Sequence, residues 1–191
     1  MVTVNEEHKR GHFPVLWLFF PLLGIVIAAL TVIGAPKTSS PNALNAAPGA
    51  TSIIFGKPAP DFSATTLDGK QIRLSELKGS IVAISFWASW CVPCKTELPE
   101  LQKASLKYPN QQLIILAVNA GEPESIVRAF ISNFNSTFPI LLDPDKTITS
   151  EYFVSPLPIT FWIDANGVAR AEQIGPLDQD LIDRYMVSLA K

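Results

Sequence analysis

Residues 80–87, SIVAISFW, form a nearly continuous apolar run, and four positions beyond its end stands Cys91, followed by Cys94. A run without polar alternation marks a central strand covered on both faces. The cysteine pair therefore sits at the carboxyl end of a buried strand. These are the only two cysteines among 191 residues. Two intervening residues put both sulfurs at the first turn of a helix, close enough to bond to each other. A disulfide closing so short a loop adds little stability, because its entropic effect grows with the loop it closes. The pair makes poor sense as a staple and good sense as a reversible two-electron switch.

The elements around this strand predict an α/β domain. Residues 61–66 and 71–74, on either side of Asp68-Gly69, read as a small hairpin. Residues 96–108 have helical spacing, with Leu98, Leu101 and Leu106 apolar and Lys103 and Lys107 polar. Residues 112–119 (QLIILAVN) are a second buried strand. Residues 122–133 read as a helix with Ile126, Val127, Phe130 and Ile131 on one side. A short strand at 138–142 ends at Asp143-Pro144, and a short helix is expected over 145–153. Residues 159–163 and 168–174 flank Asp164-Ala165-Asn166-Gly167, whose Asn-Gly is a strong hairpin signal. Residues 177–189 close the chain as an amphipathic helix. This order describes a mixed central sheet. A strand, then CxxC, then a helix is the thioredoxin context.

The first 52 residues are of another kind. Residues 13–33 carry no charge and are almost wholly apolar. At about 1.5 Å per residue they span roughly 31 Å, the thickness of a bilayer core. We expect residues 13–35 to be a transmembrane signal-anchor, 1–12 a cytoplasmic segment and 36–52, rich in Pro, Ser, Asn, Ala and Gly, a flexible linker. Residues 53–191 make the folded domain. A cleaved signal peptide is the competing account. The apolar run exceeds the usual 7–15-residue signal core, and Pro36 follows the small-residue site Gly34-Ala35. Lys9 and Arg10 before the span, against Lys37 after it, favour a cytoplasmic N-terminus. The expected localisation is single-pass in the cell membrane, with the domain on the extracytoplasmic side. That is a compartment where disulfides are made and remade. The chain has 15 Lys/Arg and 17 Asp/Glu with no basic cluster, so nucleic-acid binding is excluded.

Three stretches, taken in order, resemble a known family: Gly56-Lys57-Pro58-Ala59-Pro60-Asp61-Phe62, then Phe86-Trp87-Ala88-Ser89-Trp90-Cys91-Val92-Pro93-Cys94, then Leu157-Pro158-Ile159-Thr160-Phe161. They resemble the thioredoxin superfamily, in its TlpA-like branch of membrane-anchored thiol–disulfide oxidoreductases with a redoxin or AhpC/TSA-like domain. That branch includes cytochrome c maturation reductases. The resemblance covers nearly all of residues 53–191, with a helix-strand insertion at about 122–142. It implies a thioredoxin-like fold, no cofactor, disulfide-bearing client proteins such as apocytochrome c, and a thiol-type membrane electron donor.

Cys91 is the expected nucleophile, at or just before a helix N-terminus where free N–H groups and the dipole stabilise a thiolate. The reading needs its sulfur exposed. Cys94, one turn on, resolves the mixed disulfide. A structural or metal-ligand pair is the alternative, but zinc needs two more ligands, and the only histidines, His8 and His12, precede the span. Between the cysteines, Pro93 removes one N–H donor and Val92 brings no charge. Less thiolate stabilisation means a less oxidising disulfide, so a reductant is expected. Glu97, three residues after Cys94, is either a base for the Cys94 proton or a first-turn acid favoured by the dipole. The resembling family has an active-site glutamate here. The superfamily's buried acid six residues before the first cysteine is replaced by Ser85, so that proton route is expected to be missing.

Pro99 should sit inside the helix, in a structural role. The resemblance implies that Pro158 is cis and that Leu157 offers its N–H and C=O to an extended substrate. Pro156 is the weaker candidate for a cis bond. Trp87 is expected in the core. Trp90 would either shield the sulfur and offer an apolar docking surface or simply be buried, and Lys95 is expected to be solvated. Two other functions stay open: a thiol peroxidase of peroxiredoxin type, and a client-binding module or chaperone without turnover. Against the first, residues 84–89 hold neither Pro nor Thr; against the second stands the intact cysteine pair.

Overall fold

The computed structural model describes residues 53, 55–108 and 112–190. The expected cytoplasmic segment, membrane span and linker lie outside the described residues. Among the described residues no helix is long and apolar enough to cross a membrane.

The chain runs β1 (Ser63–Thr65), β2 (Gln71–Arg73), a 3-10 turn (Leu74–Leu77), β3 (Ile81–Trp87), α1 (Val92–Lys107), β4 (Leu113–Ala120), α2 (Glu124–Ile131), β5 (Ile140–Asp143), α3 (Thr147–Glu151), β6 (Ile159–Ile163), β7 (Ala169–Ile174) and α4 (Gln179–Leu189). The central sheet has the order β5-β4-β3-β6-β7. Strands β3, β4 and β5 are parallel, while β6 and β7 run antiparallel to their neighbours. Strands β1 and β2 pair separately as the expected hairpin. The sheet is mixed and the fold is thioredoxin-like.

All seven residues of β3 are buried, which is why its sequence shows no alternation. Its two faces serve two cores. Ile81, Ala83 and Trp87 pack with Cys91, Cys94, Leu98 and Leu101 of the α1 region and with Ile182 and Met186 of α4. Val82, Ile84 and Phe86 pack with Phe62, Leu74, Tyr152 and Phe161. Burying an aliphatic or aromatic side chain contributes roughly 1.5–3 kcal/mol, so the centre of the sheet is the most strongly held part of the domain. The β6–β7 hairpin turns at Gly167, whose φ of +81° suits a residue without Cβ. Asp164 secures the turn by accepting from the N–H groups of Asn166 and Val168.

Several expected boundaries and faces shift. The helix after the cysteines begins at Val92, four residues early. Leu106 is exposed on it; the buried line runs through Leu98, Leu101 and Ala104, and position 106 is about 140° around from 101. The expected helix at 122–133 shrinks to α2, with Pro123 at its N-cap and Ser132 at its C-cap. Ile126 lies off its buried stripe of Val127 and Ile131. The helix expected at 145–153 is only α3, capped by buried Asp143, which accepts from the N–H groups of Ile148 and Thr149.

Candidate active site

The end of β3 delivers the cysteines. After Trp87 the chain turns, with the Cys91 N–H donating to the Ala88 carbonyl at 3.1 Å. Cys91 is the N-cap of α1 in extended conformation. Its sulfur accepts from the Cys94 N–H at 3.2 Å, the part a Ser or Asp oxygen usually plays at this position. Pro93 falls in the first helical turn, where a missing N–H leaves no helical bond unmade. The sulfur thus lies at the positive end of the α1 dipole, with one backbone donor upon it. Cys91 and Cys94 form a disulfide, the electron-accepting form of the pair.

Exposure departs from expectation. Cys91 is only 4% exposed and Cys94 is fully buried, because both join the core cluster of Trp87, Ala88 and Leu98. The neighbours carry the open surface: Trp90 is 67% and Val92 72% exposed. Trp90 is therefore not buried; it presents an apolar face to solvent beside Cys91. Trp87 is core, fully buried, with its ring 5.3 Å from that of Phe130. Lys95 is exposed, its ammonium 5.8 Å from the Phe130 ring centroid.

Strand β6 brings the second half of the site. Ile159 pairs with Phe86, so Leu157 and Pro158 meet the sheet where β3 ends. The Leu157-Pro158 bond is cis, and so is Ser155-Pro156, the weaker candidate. Pro158 is buried and its carbonyl accepts from the Gly175 N–H at 2.9 Å. Leu157 packs against the cluster that contains both cysteines. Among the described residues, no backbone hydrogen bond outside the strands engages the Leu157 N–H or C=O.

Glu97 is fully buried. Its carboxylate accepts from Ser85 Oγ at 2.9 Å and the Leu177 N–H at 3.2 Å, with Thr160 Oγ1 at 3.5 Å. Burial pushes its pKa up to about 7, and these donors oppose the rise. Because α1 begins at Val92, Glu97 lies in its second turn and is not a first-turn acid favoured by the dipole. Position 85 carries no acid; the buried carboxyl on this face is that of Glu97, which reaches across from α1 and lies against the Ser85 hydroxyl.

Glu122 was not legible as a site residue. It is buried between the ends of β3 and β4, and its carboxylate accepts from Ser89 N at 2.7 Å, Ser89 Oγ at 2.5 Å and Asn119 Nδ2 at 2.7 Å. Its own N–H donates to Asn119 Oδ1 at 3.1 Å. Burial pushes the carboxyl up, but the Asn119 and Ser89 donors outweigh it and hold it below its ordinary value. Glu122 thus pins the turn that carries Trp90 and Cys91. The sequence signal was an Asn and a Glu around Gly121, just past an apolar strand. We expect Glu122→Ala, which leaves the Ser89 and Asn119 donors unpaired, to destabilise the domain by about 2–3 kcal/mol. Denaturant unfolding at neutral pH reads this, and an unchanged midpoint would show the turn held by other means.

Among the described residues, no three His, Cys, Asp or Glu side chains converge in a group that could hold a metal ion.

Residues 55–172 match the AhpC/TSA family. The thiol–disulfide oxidoreductase ResA of Geobacillus kaustophilus is 40% identical over 139 residues, covering 73% of this chain and 80% of that protein. ResA of Bacillus subtilis is 38% identical over 138 residues, covering 72% and 77%. Among solved structures, StoA of Bacillus subtilis superposes with a TM-score of 0.60 at 30% identity, covering 67% of this chain and 96% of that one.

Proposed function

This chain belongs to the AhpC/TSA family as a thiol–disulfide oxidoreductase of thioredoxin-like fold, and on that premise we propose that it is a membrane-tethered, extracytoplasmic reductant of protein disulfides. The observation that carries the reading is the Cys91–Cys94 disulfide at the start of α1, with the buried carboxyl of Glu97 one turn beyond it. The names of the curated relatives favour disulfide exchange over a thiol peroxidase.

Cys91 is only 4% exposed in the disulfide form, so reduction or client docking must uncover its sulfur. In the reduced enzyme the Cys91 thiolate then attacks a client disulfide. A Cys91–client bond forms, and the first client sulfur leaves as a thiolate. Glu97 takes the proton of the Cys94 thiol, either directly or through a water. The Cys94 sulfur then attacks Cys91, the Cys91–Cys94 bond forms, and the second client sulfur departs. Two electrons pass to the client and the enzyme ends in the oxidised form. A base with a pKa near the working pH suits this transfer. Trp90 and Val92 supply an apolar docking surface beside Cys91, and the free Leu157 backbone groups pair with an extended client segment.

The direction follows from what surrounds Cys91. Val92 and Pro93 bring neither charge nor a second donor to the sulfur, so its thiolate is modestly stabilised and the disulfide is mildly oxidising. The potential should lie well below the value of about −120 mV found for strong oxidants. The natural client is an apocytochrome c, whose CxxCH thiols must be reduced before haem attachment. Residues 13–35 would hold enzyme, client and a thiol-type electron donor at one surface, raising their effective concentration.

Full-length Cys94→Ala enzyme expressed in its host membrane is expected to accumulate clients as mixed disulfides through Cys91, with c-type apocytochromes among them by mass spectrometry. If nothing is disulfide-linked to Cys91 in that variant, the reading fails.

A further inference from the structure

Each of the two central strands β3 and β6 carries one hydroxyl side chain, Ser85 and Thr160, and the antiparallel register sets them directly opposite each other. Both are fully buried. By strand alternation they share the face of Ile81, Ala83, Trp87 and Trp162, the core that lies under α1 and α4. Apolar residues of similar size would fill these positions without a hydroxyl to satisfy, and a buried hydroxyl left without a partner costs about 1–3 kcal/mol. Their common partner is Glu97, which comes down from α1. Ser85 Oγ donates to Glu97 Oε2 at 2.9 Å, while Thr160 Oγ1 stands at the long limit of 3.5 Å from Oε1.

We propose that Ser85, with Thr160 in a lesser part, is a positioning residue that fixes the Glu97 carboxylate and sets the pH at which it releases its proton. The proposal rests on the reading of Glu97 as the base of the resolving step. A hydroxyl bond to a carboxylate is roughly twice as strong as one to a neutral carboxyl, so the Ser85 donor favours the charged form and opposes the effect of burial. The surroundings leave few rivals for this control. Strand β3 presents Ser85, β6 presents Thr160, and the turn before α4 presents only the Leu177 N–H. On α1 itself Cys94, one turn back, is held in the disulfide and does not titrate in the oxidised form. Asp178 is engaged in capping α4 through the Leu181 N–H, and Glu100 is held by Lys103 and Gln179. No charged side chain bonds to Glu97 among the described residues.

The test follows the Glu97 carboxyl by pH-difference infrared spectroscopy of the full chain, with Glu97→Gln identifying the band. In parallel, the rate at which Cys94 resolves a Cys91–glutathione mixed disulfide is measured against pH. Ser85→Ala is expected to move the Glu97 midpoint upward by about one pH unit, and the resolving profile with it. Thr160→Val is expected to move both in the same direction by less, and it serves as the test should Ser85→Ala not fold. Midpoints unchanged in the folded variants overturn the proposal. A midpoint that moves while the rate profile stays put upholds the hold of Ser85 on Glu97 and removes Glu97 as the base.

Discussion

Glu97→Gln enzyme is expected to resolve mixed disulfides about 100-fold more slowly at pH 7, within the usual range for loss of a general base, and to be more stable than the parent at alkaline pH. The two effects share one cause. The carboxyl is fully buried, and burial raises its pKa from 4.5 to about 7. Below pH 4.5 it is protonated whether the chain is folded or not, so the elevated pKa imposes no penalty. Above pH 7 the folded carboxylate must be held in the core; between pH 4.5 and about 7 the unfolded chain ionises in water while the folded one keeps its proton. Stability is therefore lost across that window, by an amount on the order of 3 kcal/mol for a rise of this size. Glutamine keeps the shape and accepts from the Leu177 N–H through its amide oxygen, but it never ionises. Urea unfolding of the oxidised domain at pH 5 and pH 8.5 should show the parent losing stability over the interval and the variant losing much less. If the two fall together, another group is responsible for the pH dependence.

Cys91→Ser is expected to abolish turnover altogether while leaving the domain folded. The argument turns on the double duty of this residue. Its sulfur is the electrophilic or nucleophilic atom of every step, and a serine hydroxyl, with a proton far too tightly held at neutral pH, cannot replace it. Its sulfur also caps α1 by accepting from the Cys94 N–H. Serine is among the best residues for that second task, so the helix start survives. The lost disulfide closes too short a loop to matter greatly for stability. Circular dichroism and a thermal melt should match the reduced parent closely, with disulfide-reductase activity at background. Residual turnover above background in this variant would mean that Cys94 can begin the exchange, which its complete burial opposes.

Much of this arrangement was visible in the order of residues. Residues 80–87 announced an inner strand because both faces of β3 are covered, and an unbroken apolar run is what double coverage selects. Asp164-Ala165-Asn166-Gly167 announced a hairpin because Gly167 must take a positive φ. Leu106 and Ile126 misled, since apolar residues at near-helical spacing do not reveal which fall just outside the buried stripe. Glu122 was unreadable for a related reason. A carboxylate is ordinarily solvated, and the nearby Asn119 alone does not reveal that Ser89, 33 residues away, completes its partners.

The chain's own order of residues determined a dithiol switch at the end of a buried strand and at the head of a helix, because strand periodicity and helix capping are local properties of the backbone. Only the tertiary structure decided what governs that switch. The carboxyl of Glu97 lies against Ser85 and the backbone before α4, and Glu122 grips the turn before Cys91. Proton affinity depends on what is packed around a group, and those neighbours come together only when distant segments fold against one another.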